Sequence, residues 1–183
     1  MFIVSLPTQI TAVVCVSGLV AGFTDLRSRR IPNWLSSLVL LFGVSIHTHY
    51  NGLPGSATAI LGALCCGAAF LPFYIVGGMG AGDVKLVAAE GCVLGLGHSL
   101  SFLFATAICG AVMAFAVAAK NRSIKATLLK TKELTAHHLE SGLIRHPGLS
   151  LSNAKAAHVP YALAIGSGAL MIIIFDNLGQ GYQ

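Results

Sequence analysis

Charge is scarce in this sequence. Its 183 residues include 6 acids and 11 Lys or Arg, so 9% are charged, against roughly 25% in an ordinary soluble domain. Hydrophobic residues make up 55%, and mean hydropathy is +0.81. Too few polar side chains exist to cover a water-soluble fold of this size. So apolar a chain does not stay disordered either. The alternating segments of about 10 residues that mark a transmembrane β-barrel are missing as well. What remains is an all-α, polytopic bundle of transmembrane helices solvated by lipid.

Metal-site spacing is also lacking. Cys15, Cys65, Cys66, Cys92 and Cys109 lie inside apolar runs and form no CxxC pair. They read as small buried hydrophobes rather than as zinc ligands or a disulfide. His137 and His138 are adjacent, so they point apart on a helix, and no Cys or carboxylate set completes a site around them. No metal site is expected.

Six apolar runs stand out: Leu6 to Phe23, Trp34 to about Ile46, Ala57 to Val76, Val84 to Gly97, Leu100 to Ala119, and Tyr161 to Phe175. The first has no basic N-terminal flank, so it reads as a retained span rather than a signal peptide. Several runs are short and rich in Gly, which points to close packing around a polar site. The basic residues fall in three places. Arg27, Arg29 and Arg30 follow the first run, Lys85 opens the fourth, and the rest lie between Lys120 and Lys155. With six spans, all three places share one side. The opposite connections, His47 to Ser56 and Gly97 to Ser99, hold no Lys or Arg. The positive-inside rule then predicts a cytoplasmic basic side, with both termini outside.

The net charge of +5 fits this topology and contact with anionic lipid, not nucleic acid. The whole chain, 1–183, reads as one membrane-embedded domain with a basic cytoplasmic loop at about 120–158. Within that loop Ile124, Leu128, Thr131 and Leu134 recur at helical spacing among lysines. An interfacial amphipathic helix and a solvated loop both fit. Nothing in the sequence sets an oligomeric state.

The acids carry the most information. Glu133 and Glu140 lie in the polar loop and Asp176 follows the last run, which leaves Asp25, Asp83 and Glu90 at membrane depth or its edge. Charge there costs roughly 2.5 to 3.5 kcal/mol or more, so it is usually functional. Asp25 closes the first run, and Asp83 follows the glycine-rich stretch Gly77-Gly78-Met79-Gly80-Ala81-Gly82. Both are predicted at the cytoplasmic edge. Paired aspartates suit water-driven peptide hydrolysis. One takes a proton from water while the other, protonated, polarises the scissile carbonyl. The glycines would let an extended chain come close and add as a strand. Structural roles remain open: Asp25 pairing with Arg29, and Asp83 capping the fourth span. Glu90 lies about 10 Å along the helix from Asp83. It reads either as a third polar group in a watery cavity or as a hydrogen-bonded acid facing a neighbouring helix. The second is favoured.

Three blocks carry a resemblance: Asp25-Leu26-Arg27-Ser28-Arg29-Arg30-Ile31-Pro32-Asn33, Gly80-Ala81-Gly82-Asp83-Val84-Lys85, and Val159-Pro160-Tyr161-Ala162-Leu163-Ala164-Ile165. In order and placement they resemble the type IV prepilin leader peptidases, GxGD membrane aspartic proteases. The resemblance implies that Asp25 and Asp83 form the catalytic pair. It also implies removal of a basic prepilin leader after a Gly, without cofactor. Gly80, Gly82, Lys85, Pro160 and Tyr161 would touch the substrate, although Lys85 also suits a phospholipid. The long forms of the family carry CxxC pairs before the first aspartate, associated with N-methylation. None occurs here, so methyltransferase activity is not expected. The chain is similar to the short CpaA/TadV-type peptidases of tight-adherence (Flp) pili. The rival readings are a small proton-coupled transporter, for which Glu90 would be the signature, and a non-catalytic pilus assembly protein.

Overall fold

A computed structural model describes residues 8–28, 30–120 and 161–180. They form five helices: α1 (Thr8–Ser28), α2 (Asn33–Ile75), α3 (Ala81–Leu94), α4 (Leu96–Lys120) and α5 (Tyr161–Gln180). No strand occurs among the described residues, in keeping with the all-α expectation. Three helical stretches are long and apolar enough to cross a membrane: Thr8–Ser28, Asn33–Ile75 and Leu96–Val117. Tyr161–Asp176 is a shorter apolar helix. With 14 residues, α3 falls short of the ~20 needed by an upright span. The chain is a membrane protein by this measure. The basic loop beyond Lys120, with His137, His138, Glu133 and Glu140, lies outside the described residues, as do Arg29 and Pro160.

The expected connections are tighter than the sequence indicates. The stretch His47 to Ser56 is helical rather than a loop, so the second and third runs form one 43-residue element. A straight helix of that length would reach about 65 Å. Instead Gly55 abuts the carbonyl of His47, so the chain has turned back on itself. The break is Gly52, at φ 60 and ψ −145, a conformation that glycine adopts without a Cβ clash. Pro54 follows, and proline suits the first turn of a new helix because the missing N–H is not needed there. The two arms are thus 33–51 and 53–75. Similarly, Gly97 to Ser99 lies inside α4, and the reversal from α3 occurs one step earlier, at Gly95 (φ 75).

Between the two arms of α2 runs α3. Along the first arm, the Cys92 thiol donates to Leu40 O at 3.6 Å, and His47 Nε2 pairs with Val93 O at 3.0 Å. These pairings ascend together, so the first arm is parallel to α3. Along the second arm, Gly62 meets Gly91 and Gly67 meets Ala88, an antiparallel order. Leu86, Val87, Ala89, Cys92 and Val93 are fully buried as a result. In lipid, apolar burial gives helices little reason to associate, because acyl chains are as apolar as Leu. Close backbone packing at small residues does the work. Accordingly α1 crosses α5 at Gly18 and Gly166, where an added Cβ would stand 3.2 or 3.0 Å from the facing Cα. Thr106 and Gly110 of α4 meet Gly168 and Ala164 of α5. Leu19, Phe23, Leu64, Phe104 and Phe115 face outward, where lipid would solvate them.

Candidate active site

A helical stripe on α1 leads to the first aspartate. Ile10, Val14, Ser17, Ala21 and Asp25 are buried at steps of three or four, while Val16, Leu19, Phe23 and Leu26 point outward. Asp25 is therefore on the inward stripe, 4% exposed. The second aspartate is set by two helix ends. Gly77, at φ 79, closes α2, with Gly78 N donating to Phe73 O (2.9 Å) and Gly77 N to Tyr74 O (3.0 Å). This is the Schellman pattern that a left-handed glycine permits. Gly80 is then the N-cap of α3. Asp83 sits three residues later, and its Oδ2 accepts from Gly80 N at 3.1 Å.

Two expectations change here. Asp83 is not the N-cap residue itself, but it reaches back to the cap and favours the positive end of the helix dipole. Its structural role and its exposure at the surface coexist, since it is only half-buried. Strand addition along the glycines is also poorly supplied with donors. The N–H groups of Val76, Gly77, Gly78 and Gly80 are already donated within the chain.

The two aspartate-bearing blocks interlock. A Cβ on Gly82 would lie 3.2 Å from Ile31 Cβ, so the glycine lets the chain after α1 lie against the start of α3. Beside it, Lys85 Nζ donates to Asn33 Oδ1 at 3.0 Å. Lys85 is exposed and occupied by this contact. The third block joins through α5. Leu163 packs on Gly22, one turn before Asp25, while Tyr161 lies within electrostatic reach of Asp83. Asp25 and Asp83 thus occupy the same end of the bundle, as does Tyr161. Gly80, Gly82 and Lys85 belong to that end as well. At the opposite end, His98 Nε2 lies 3.9 Å from Asp176 Oδ1.

Glu90 faces α1. It is fully buried and shares a 2.6 Å hydrogen bond with Ser17 Oγ, which agrees with the favoured reading of a hydrogen-bonded acid. Its Oε2 has no partner among the described residues. Ser17 carries no signal in the sequence, since it is one of several small hydroxyls in an apolar run, beside Thr8 and Thr11, and lies 73 residues from its partner. A cavity of about 520 Å³ opens beside the same end, lined by Phe70, Phe73, Met79, Thr106 and Tyr161 among others. It is almost wholly apolar, and its volume suits bulky apolar groups.

No curated protein and no solved structure matches the chain. A family model does match, that of the type IV leader peptidase family, over residues 12–115. The match covers more than half of the chain and includes Asp25, Asp83 and the blocks around them. It stops short of the Pro160-Tyr161 block. Interlocked blocks at one end of a membrane bundle and this match agree: the chain belongs to the type IV leader peptidase family.

Proposed function

We propose that the protein is a membrane aspartic endopeptidase that cuts the basic leader from Flp-like type IV prepilins, with Asp25 and Asp83 as its catalytic pair. The carrying observation is the interlock of Ile31 with Gly82 and of Asn33 with Lys85. It holds the segment after Asp25 against the helix turn that bears Asp83.

The chemistry follows from two carboxyls at one polar end of an apolar bundle. Close carboxylates do not both ionise easily, so the pair shares a proton. The ionised member takes a proton from water, and the resulting hydroxide attacks the scissile carbonyl carbon. The protonated member donates to the carbonyl oxygen as the tetrahedral intermediate forms. Collapse breaks the C–N bond, and a proton passes to the departing amine. Water is consumed, and no cofactor enters the balance. Asp83 is exposed enough to meet water, while Asp25 is buried on α1.

In this reading α3, α5 and the two arms of α2 all cross the bilayer, which makes six spans. Arg27, Arg30 and Lys85 lie at the aspartate end, so that end is cytoplasmic by the positive-inside rule. The prepilin's apolar helix would lie in lipid beside the bundle and present its leader junction there. The apolar cavity beside Tyr161 suits the side chains that flank such a junction. A transport role for Glu90 is disfavoured, because its carboxyl is fully buried against Ser17.

The test is co-expression of a pilin precursor with wild-type, Asp25→Asn or Asp83→Asn enzyme. Leader removal should fall by a factor of roughly 10² or more in either variant. Normal processing by a well-expressed single variant would overturn the assignment.

A further inference from the structure

We propose that the Ser17–Glu90 hydrogen bond is a positioning contact that sets the axial register of α1 against α3, and with it the level at which Asp25 and Asp83 meet. The proposal rests on the aspartate-pair reading and extends it to two residues in the middle of the bundle.

The geometry is a matter of helical rise. From Ser17 to Asp25 is eight residues, about 12 Å along α1. From Glu90 back to Asp83 is seven residues, about 10.5 Å along α3. The two helices run in opposite directions, because Asp25 is near the C-terminal end of α1 and Asp83 near the N-terminal end of α3, at one end of the bundle. A contact at Ser17 and Glu90 therefore brings both aspartates to one depth, within about one residue's rise. On α3, seven residues return to nearly the same face, so Glu90 and Asp83 both address α1.

Ser17–Glu90 is a short side-chain hydrogen bond between α1 and α3, and both of its groups are fully buried. Neighbouring contacts on α1, such as Gly18 with Gly166 and Gly22 with Leu163, go to α5. A slip of α1 against α3 would leave the buried Glu90 carboxyl without this partner where no water can replace it, while Ser17 would keep only its bonds within α1, to Val13 O and Val14 O. A displacement of about 1 Å at reacting groups can cost on the order of 10²-fold in rate. Glu90 does not touch the reacting atoms in this scheme. It acts through helix position.

The experiment measures leader cleavage by purified full-length enzyme in detergent or liposomes, normalised to folded protein by thermal melting. Ser17→Ala and Glu90→Leu should each lower kcat at least tenfold with KM within twofold. The double variant should be no slower than the slower single, since both remove one contact. Glu90→Gln, which keeps a hydrogen-bonding group at that place, should stay within about threefold of wild type. Wild-type kcat in Ser17→Ala, losses that multiply in the double variant, or a fall in folded protein with unchanged kcat would each overturn the proposal. Should Glu90→Leu fail to accumulate, Ser17→Ala decides by the same criterion. Asp25→Asn and Asp83→Asn run in the same assay separate the two readings. If they cleave normally, the aspartate assignment fails. If they are inactive while Ser17→Ala is normal, only the register proposal fails.

Discussion

Lys85 and Asn33 are 52 residues apart in sequence, yet the Lys85 ammonium donates to the Asn33 side-chain carbonyl across 3.0 Å. The contact bridges the two blocks that carry Asp25 and Asp83. Both residues are exposed, so water competes for each and the bond should matter little to folding. Lys85→Met should lower stability by less than about 1 kcal/mol. If the bond helps hold the two blocks together at the site, cleavage should fall more than melting does. The check is kcat/KM beside thermal midpoint: a loss of two- to tenfold in the first with an unchanged second is expected.

Gly166 tests packing in lipid. An added Cβ would lie 3.0 Å from Gly18 Cα, a backbone atom that cannot swing away. Gly166→Val should force α1 and α5 apart and cost about 1–3 kcal/mol. Denaturation in mixed micelles reads the change. Gly97→Ala offers a control, because nothing stands within 4 Å of a Cβ there.

Thr106 should behave in the opposite sense. Its hydroxyl is buried at 3% exposure and has no partner among the described residues. Replacing an unsatisfied buried hydroxyl with a methyl removes the cost of its desolvation. Thr106→Val, of similar shape, should leave stability unchanged or raise it by up to about 1 kcal/mol. A loss of more than that would show that the hydroxyl is engaged.

Gly52 and the topology can be tested together. Leu53 is 83% exposed at the turn between the two arms of α2, while Arg30 is exposed at the aspartate end. In intact cells, a membrane-impermeant thiol reagent should label Leu53→Cys, while Arg30→Cys should react only after lysis. At the turn itself, Gly52→Val should destabilise the chain by more than about 1 kcal/mol even though space is open around it, because φ 60 strains a β-branched residue.

Much of this protein could be read without coordinates. The scarcity of charge required lipid, and apolar runs longer than a strand required helices. Local motifs were legible because their physics is local: the glycines before Asp83 close one helix and open the next within a few residues. The Gly-Ala-Gly-Asp block and the Arg-Ile-Pro-Asn block could therefore be singled out as a pair. Their family was legible for the same reason.

Tertiary structure decided what depends on contacts between distant segments. The stretch His47 to Ser56 looked like a loop because polar residues, Gly and Pro gather there. It folds as two helix ends hinged on Gly52, because glycine at positive φ reverses the chain in a single residue. Glu90 could be placed on the face of Asp83 by counting, but its partner could not. Ser17 hydrogen-bonds to its own helix at Val13 O (2.7 Å) as well as to Glu90, and nothing in its apolar neighbourhood announces the second contact. Composition and spacing determined the solvent, the helices and the candidate aspartates. Packing decided which helix faces meet, because neither the small residues that let backbones approach nor the buried Ser17–Glu90 contact has a period along the chain.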